Sequence, residues 1–177
     1  LLTPYDTPFG AIPYDRITLG HFVPAIKEAI KKEQEAIEAI CNNKVATFEN
    51  TIVALDRSGL LIGEITGAFN AIANAQSNDE ILAAEEEIEL LCTAHHNDIS
   101  LNERLFARIK EVYNGDTSML DTAQKRLLEQ TYTSFIRSGA SLTGEDREEY
   151  RKLKERLSVL AMRSQENNMT GTDAFPP

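Results

Sequence analysis

From His21 onward the apolar residues of this chain recur at intervals of three and four, and no stretch alternates convincingly at intervals of two. Side chains three and four apart share one face of an α-helix, whereas a half-buried strand needs alternation. The pattern therefore predicts an all-α fold. Phe22, Ile26, Ala29, Ile30, Ile37 and Ile40 make the first stripe, with Pro24 suited to a first turn and "CNNK" as its end. A helix of about five turns is expected there.

Further helices follow in order. Thr47 can cap the amides of "FEN" and start a second helix running towards Asn78. On it Gly59, Gly63, Gly67, Ala71 and Ala75 fall every fourth position, a face almost without side chains that is expected to take a close helix crossing, with an open groove for an extended ligand as the alternative. Ser77 to Glu80 reads as a capping box for the third helix, "DEILAAEEEIELLCTAHH". The fourth, "NERLFARIKEVYNG", turns Leu105, Phe106, Ile109 and Val112 inward and stops at Gly115. The fifth is capped by Asp121, stops at Gly139 and carries Leu127, Leu128, Tyr132, Phe135 and Ile136; the sixth starts at Thr143 with Tyr150, Leu153, Leu157 and Leu160. The expectation is a six-helix antiparallel bundle or stacked helical hairpins. Residues 1–20, with Pro4, Pro8, Pro13, Gly10 and Gly20, precede it as an extended arm whose Tyr5, Phe9 and Tyr14 would pin it to a neighbouring surface.

Charge and composition exclude several partners. A formal charge of −10 opposes the phosphate neutralisation on which nucleic-acid binding depends, so no nucleic acid is expected. No run of eighteen apolar residues exists, so no membrane span is expected either, and the chain reads as soluble. The first residue is Leu rather than Met, which is compatible with removal of a leader or tag and leaves the compartment open. Cys41 and Cys92 are too few for a disulfide framework.

Chemistry is concentrated at "CTAHHND", residues 92–98, where helical spacing lets Cys92 share a face with His95 and His96, with Asp98 close by. This is ligand spacing, and Cys92, His95, His96 and Asp98 are the metal alternative. A closed structural zinc site needs four ligands, and half is missing unless His21 or Cys41 folds over it. The structural reading continues the buried stripe Ile81, Ile88, Leu91 and Cys92 to His95 as a packed imidazole near the helix end, with Asp98 shaping the turn that follows. The run Glu85 to Glu89 splays around the helix and reads as a solvated face. His-Glu-x-x-His, Gly-x-Ser-x-Gly and a phosphate-binding glycine loop are all absent. No catalytic residue is assigned.

Five linked stretches nevertheless carry a resemblance: "LLTPYDTPFGAIPYDRITLGHFVPAI", "TFENTIVALDRSG", "NDISLNERLFARIKEVY", "RLLEQTYTSFIRSGASL" and "LKERLSVLAM". In this order they resemble the N-terminal portion of bacterial peptidyl-dipeptidases, which with oligopeptidase A and thimet oligopeptidase form one family of zinc metallopeptidases. The resemblance implies a helical N-terminal lobe, residues 21–177 behind the arm, forming one side of a deep channel for short peptides from whose C-terminus dipeptides are removed. It places the zinc ligands and general base downstream, so this chain has no cofactor of its own, and the family also has a His at the place of His95 in scaffold that binds no metal. The partners implied are the catalytic half of the same polypeptide or short peptides, in bacterial cytoplasm or periplasm, with self-association expected of an isolated lobe. The chain departs from the family pattern at Ser164, Asn167, Asn168 and Met169 and then reaches "TDAFPP". A stand-alone helical peptide-binding or interaction module is the alternative function, and a small metalloprotein built on "CTAHHND" a third.

Overall fold

The computed structural model describes residues 1–3, 5–75, 78–150, 152–154, 156–157 and 160. Its longest-range organiser is α1 (Phe22–Asn42), which packs against α2 (Ala54–Ser58), α3 (Leu60–Ala75), α4 (Asp79–Ser100) and α5 (Glu103–Asn114). α6 (Thr122–Arg137) lies against α5, and residues 144–150 form a further helical stretch. No strand occurs among the described residues, so the fold is all-α as the periodicity requires.

Capping chemistry sets most helix starts. Thr47 accepts from the Asn50 amide at 3.1 Å while Asn50 Oδ1 accepts from the Thr47 amide at 2.8 Å, and Asp121 and Gln124 repeat the exchange at 2.9 and 3.0 Å. Asn102 caps α5 through the Leu105 amide at 3.0 Å. The expected Ser77 cap lies outside the described residues; Asn78 accepts from the Ile81 amide at 2.9 Å and fills that role. α4 continues to Ser100, so Asp98 sits inside its last turn, and Asn102 caps the helix that follows. Similarly, the single helix expected from Thr47 is divided. A π-turn over Phe48–Val53, closed by the Ala54 amide on the Glu49 carbonyl, leads into α2, and Gly59 separates α2 from α3.

Two apolar clusters result. One gathers Ile37, Ile40 and Cys41 of α1 with Phe48, Ile52, Leu105, Ile109, Leu128 and Phe135. The other gathers Phe22, Ala25, Ile26 and Ala29 with Ile65 and Phe69 of α3 and Ile81 and Ile88 of α4. Phe22 and Phe69 meet edge to face at 5.4 Å, and burying each ring stabilises the fold by about 1.5–3 kcal/mol. Between α5 and α6, Tyr113 stacks on Tyr132 at 4.0 Å, followed by Phe106 and Phe135 in near-parallel planes. Ile136, expected inside, is partly exposed, and Leu153, Leu157 and Leu160 are more than half exposed. At the α6 end Gly139 has φ +86°, and a Cβ there would lie 2.8 Å from Tyr150 Cε1, so glycine is required on both counts.

Two further expectations change. The arm forms three short 3-10 turns rather than a straight segment, and it is held by Leu1, Ile12, Ile17 and Leu19 against the second cluster, while Phe9 is fully exposed. Among the described residues the small-residue face of α3 takes no close helix crossing: Gly63 and Gly67 are exposed, with no atom of those residues within 4 Å of an added Cβ, whereas a Cβ at Gly59 would lie 3.2 Å from Glu33 Oε1. Gly63→Ala and Gly67→Ala are therefore expected to stabilise the chain by about 0.5–1 kcal/mol each in urea unfolding, through helix propensity alone. Gly59→Ala is expected to give no such gain, because Glu33 must move; a destabilising Gly63→Ala would show that the α3 face is covered.

Candidate functional site: a buried carboxylate–imidazole pair

Glu33 occupies the position in α1 where the apolar stripe passes from Ala29 to Ile37, one turn from each. A carboxylate there is carried into the interior by its neighbours, and the residue is only 7% exposed. Its partner arrives the same way. His95 sits one turn beyond Cys92 on α4, is 6% exposed, and places Nε2 2.9 Å from Glu33 Oε2. The other carboxylate oxygen, Oε1, accepts from Ser58 Oγ at 3.0 Å, at the end of α2 and beside Gly59. An ionised carboxylate can only accept, so the Glu33 bond puts a proton on Nε2; His95 Nδ1 has no hydrogen-bond partner among the described residues.

The position of this pair is telling. Below it α1 contributes to the second cluster and above it to the first; α4 changes cluster between Cys92 and Ile99, and the α2–α3 segment changes between Leu55 and Leu61. Three elements thus cross a polar seam at the same level. Glu33, His95 and Ser58 can hydrogen-bond only when all three are in register, so the seam fixes their relative sliding as apolar contacts alone would not.

A serine, a histidine and a glutamate together invite comparison with a nucleophilic triad, and the geometry argues against it. In a triad the imidazole contacts the hydroxyl and removes its proton. Here the carboxylate lies between them, Ser58 Oγ also donates to the Leu55 carbonyl at 2.8 Å, and the pair is closed to substrate. The arrangement is structural.

The four residues of the metal alternative are not brought together. His95 turns inward to Glu33, His96 and Asp98 are exposed, and Cys92 is half-buried. Burial, then the charges of Glu89 and Glu33, push the Cys92 thiol up, which leaves little of the thiolate a metal prefers. Among the described residues no group of three or more His, Cys, Asp and Glu side chains is placed to hold a metal ion. Sequence reasoning recognised His95 as packed but missed Glu33 and Ser58. A charged residue in register with Ile26, Ala29, Ile37 and Ile40 was the available sign.

Removing one member of a buried pair strands the other, so Glu33→Leu and His95→Leu are each expected to cost about 3 kcal/mol in urea unfolding, while the double substitution costs clearly less than the sum. Additive losses would show that the two groups do not interact.

No family profile matches the chain. Individual proteins do. Dipeptidyl carboxypeptidase of Salmonella typhimurium is 37% identical over 155 residues, covering 86% of this chain and 22% of that protein. The dipeptidyl carboxypeptidase of Escherichia coli is 34% identical over 86% of the chain and 23% of its own length. Oligopeptidase A of Escherichia coli is 26% identical over 97% of the chain and 25% of its own length. The chain thus spans a quarter or less of these relatives. Similarity of this extent makes it a relative of the dipeptidyl carboxypeptidases and oligopeptidase A, and it fits an N-terminal portion of that family.

Proposed function

We propose that this chain is the N-terminal helical lobe of a zinc metallopeptidase that releases C-terminal dipeptides from short peptides, forming one wall of the substrate channel without being catalytic by itself. The observation that carries the reading is the pairing of 86% coverage of this chain with 22% coverage of a dipeptidyl carboxypeptidase. The absence of His-Glu-x-x-His from the sequence agrees with it, as does a described structure whose buried titratable pair serves packing. The zinc and its base belong, on this reading, to the catalytic half of the same polypeptide. That half would cover the exposed Leu153, Leu157 and Leu160, which in an isolated lobe favour self-association. No described helix is long and apolar enough to cross a membrane, and the compartment is not assigned between bacterial cytoplasm and periplasm.

A second reading, a stand-alone peptide-binding or interaction module, draws support from the two apolar clusters that the chain's own helices complete. The two readings separate at the gene. The coding sequence is expected to continue in frame past Pro177 to His-Glu-x-x-His, the longer polypeptide to release dipeptides from a chromogenic peptide when supplied with zinc, and this chain alone to release none. A stop codon after Pro177, or zinc-dependent turnover by the isolated chain, would overturn the lobe reading.

A further inference from the structure

The arm joins α1 through a turn that a histidine closes. Over residues 18–21 the His21 amide donates to the Thr18 carbonyl at 3.0 Å, and His21 Nδ1 accepts from the Thr18 amide at 3.1 Å, with the Thr18 hydroxyl at 3.3 Å. The side chain that reaches back in such a box is ordinarily Glu or Gln, which accepts through an oxygen. An imidazole nitrogen accepts only while it carries no proton. The turn leads directly into Phe22, fully buried at the start of α1, and Ile17 and Leu19 of the arm pack against the same cluster.

A proton on His21 acts on this turn in two ways. It puts a hydrogen on Nδ1, which can then donate to the Thr18 hydroxyl but leaves the Thr18 amide without its acceptor. It also puts a positive charge at the N-terminal end of α1, where the helix dipole is positive and the first turn holds no acidic residue to offset it. Among the described residues the ring's hydrogen bonds run to Thr18 alone. The charged groups on the surrounding elements are engaged elsewhere or stand apart. Asp15 lies 3.6 Å from Arg16 within the arm, Lys27 of α1 reaches Glu87 of α4 at 2.8 Å, and neither Glu28 of α1 nor Glu64 of α3 bonds to the imidazole.

We propose that His21 is a proton-sensitive latch between the arm and α1. With a neutral imidazole the box is closed, and the arm enters α1 in the register that seats Ile17 and Leu19 on the second cluster. With an imidazolium the Thr18 amide is released to water and the junction opens more often. The fastening is therefore complete above the range in which imidazoles titrate and weakens as the pH falls through it. Apolar contacts of Leu1, Ile12, Ile17 and Leu19 still hold the arm, so the junction loosens while the helices stay folded. The latch uses only the arm and α1, and it holds whether or not the chain is part of a longer peptidase.

The test is amide hydrogen exchange of the full chain by NMR at about pH 8 and about pH 5, an interval in which imidazoles but few carboxylates titrate. Protection of the Thr18 amide, corrected for the intrinsic pH dependence of exchange, is expected to fall about five-fold at the lower pH, while Leu105 and Ile109 in the interior keep theirs. His21→Gln supplies an acceptor that does not titrate and is expected to hold Thr18 protected at both pH values; His21→Ala is expected to leave it unprotected at both. Nitrogen-15 shifts at the higher pH are expected to show His21 with its proton on Nε2 and none on Nδ1. A proton on Nδ1 there, pH-independent protection in the unaltered chain, or an equal acid loss in His21→Gln would overturn the latch. Equal loss at Leu105 and Ile109 would overturn it too, because the acid effect would then be global unfolding.

Discussion

The bond between Glu33 and His95 is the constraint on which the arrangement of the other helices depends. Two long helices, α1 and α4, bury Glu33 and His95 respectively on mainly apolar faces, and each needs a polar partner in the interior. Their 2.9 Å contact, with Ser58 on the second carboxylate oxygen, joins three segments at one level. Apolar clusters on either side supply most of the driving force but could settle in more than one register. The polar seam selects one.

Around that seam the surface is stitched rather than packed. Arg104 on α5 donates to both oxygens of Glu38 on α1 at 3.0 Å and to Asn42 Oδ1 at 2.8 Å, which holds the Glu38 carboxyl below its ordinary range. Arg147 pairs with Glu103 across the α6 corner, and Lys27 on α1 reaches Glu87 on α4 at 2.8 Å. Exposed pairs of this kind contribute little each, about 0–1 kcal/mol. Their value lies in orienting helices that the interior already holds.

Much of this was legible in the sequence, because helix periodicity and capping are local. The stripes of α1 and α5 and the caps at Thr47 and Asp121 are set by residues within one turn of each other. What escaped was non-local. Gly63 and Gly67 suggested a close crossing because small residues permit one, yet permission does not supply a partner helix, and none among the described residues covers that face of α3. Asp98 lay near the helix end expected after His96, but α4 runs on to Ser100, and Asn102 caps the next helix. Glu33 was hidden by its own type: a glutamate following Lys31 and Lys32 reads as surface until its register with Ala29 and Ile37 is weighed. At "CTAHHND" the spacing was read correctly, and burial then separated His95 from His96.

The relation to dipeptidyl carboxypeptidases gives these features a setting. A helical chain that holds its shape through an internal polar seam can expose one face of α3 without relying on that face for stability. The central claim is that His95 is buried and bonded to Glu33, and the most direct measurement is the imidazole NMR spectrum of the chain at neutral pH. His95 is expected to show an Nε2-bound proton that exchanges slowly with solvent, unlike the exposed His21 and His96. A His95 ring proton exchanging as fast as that of His96 would contradict the account.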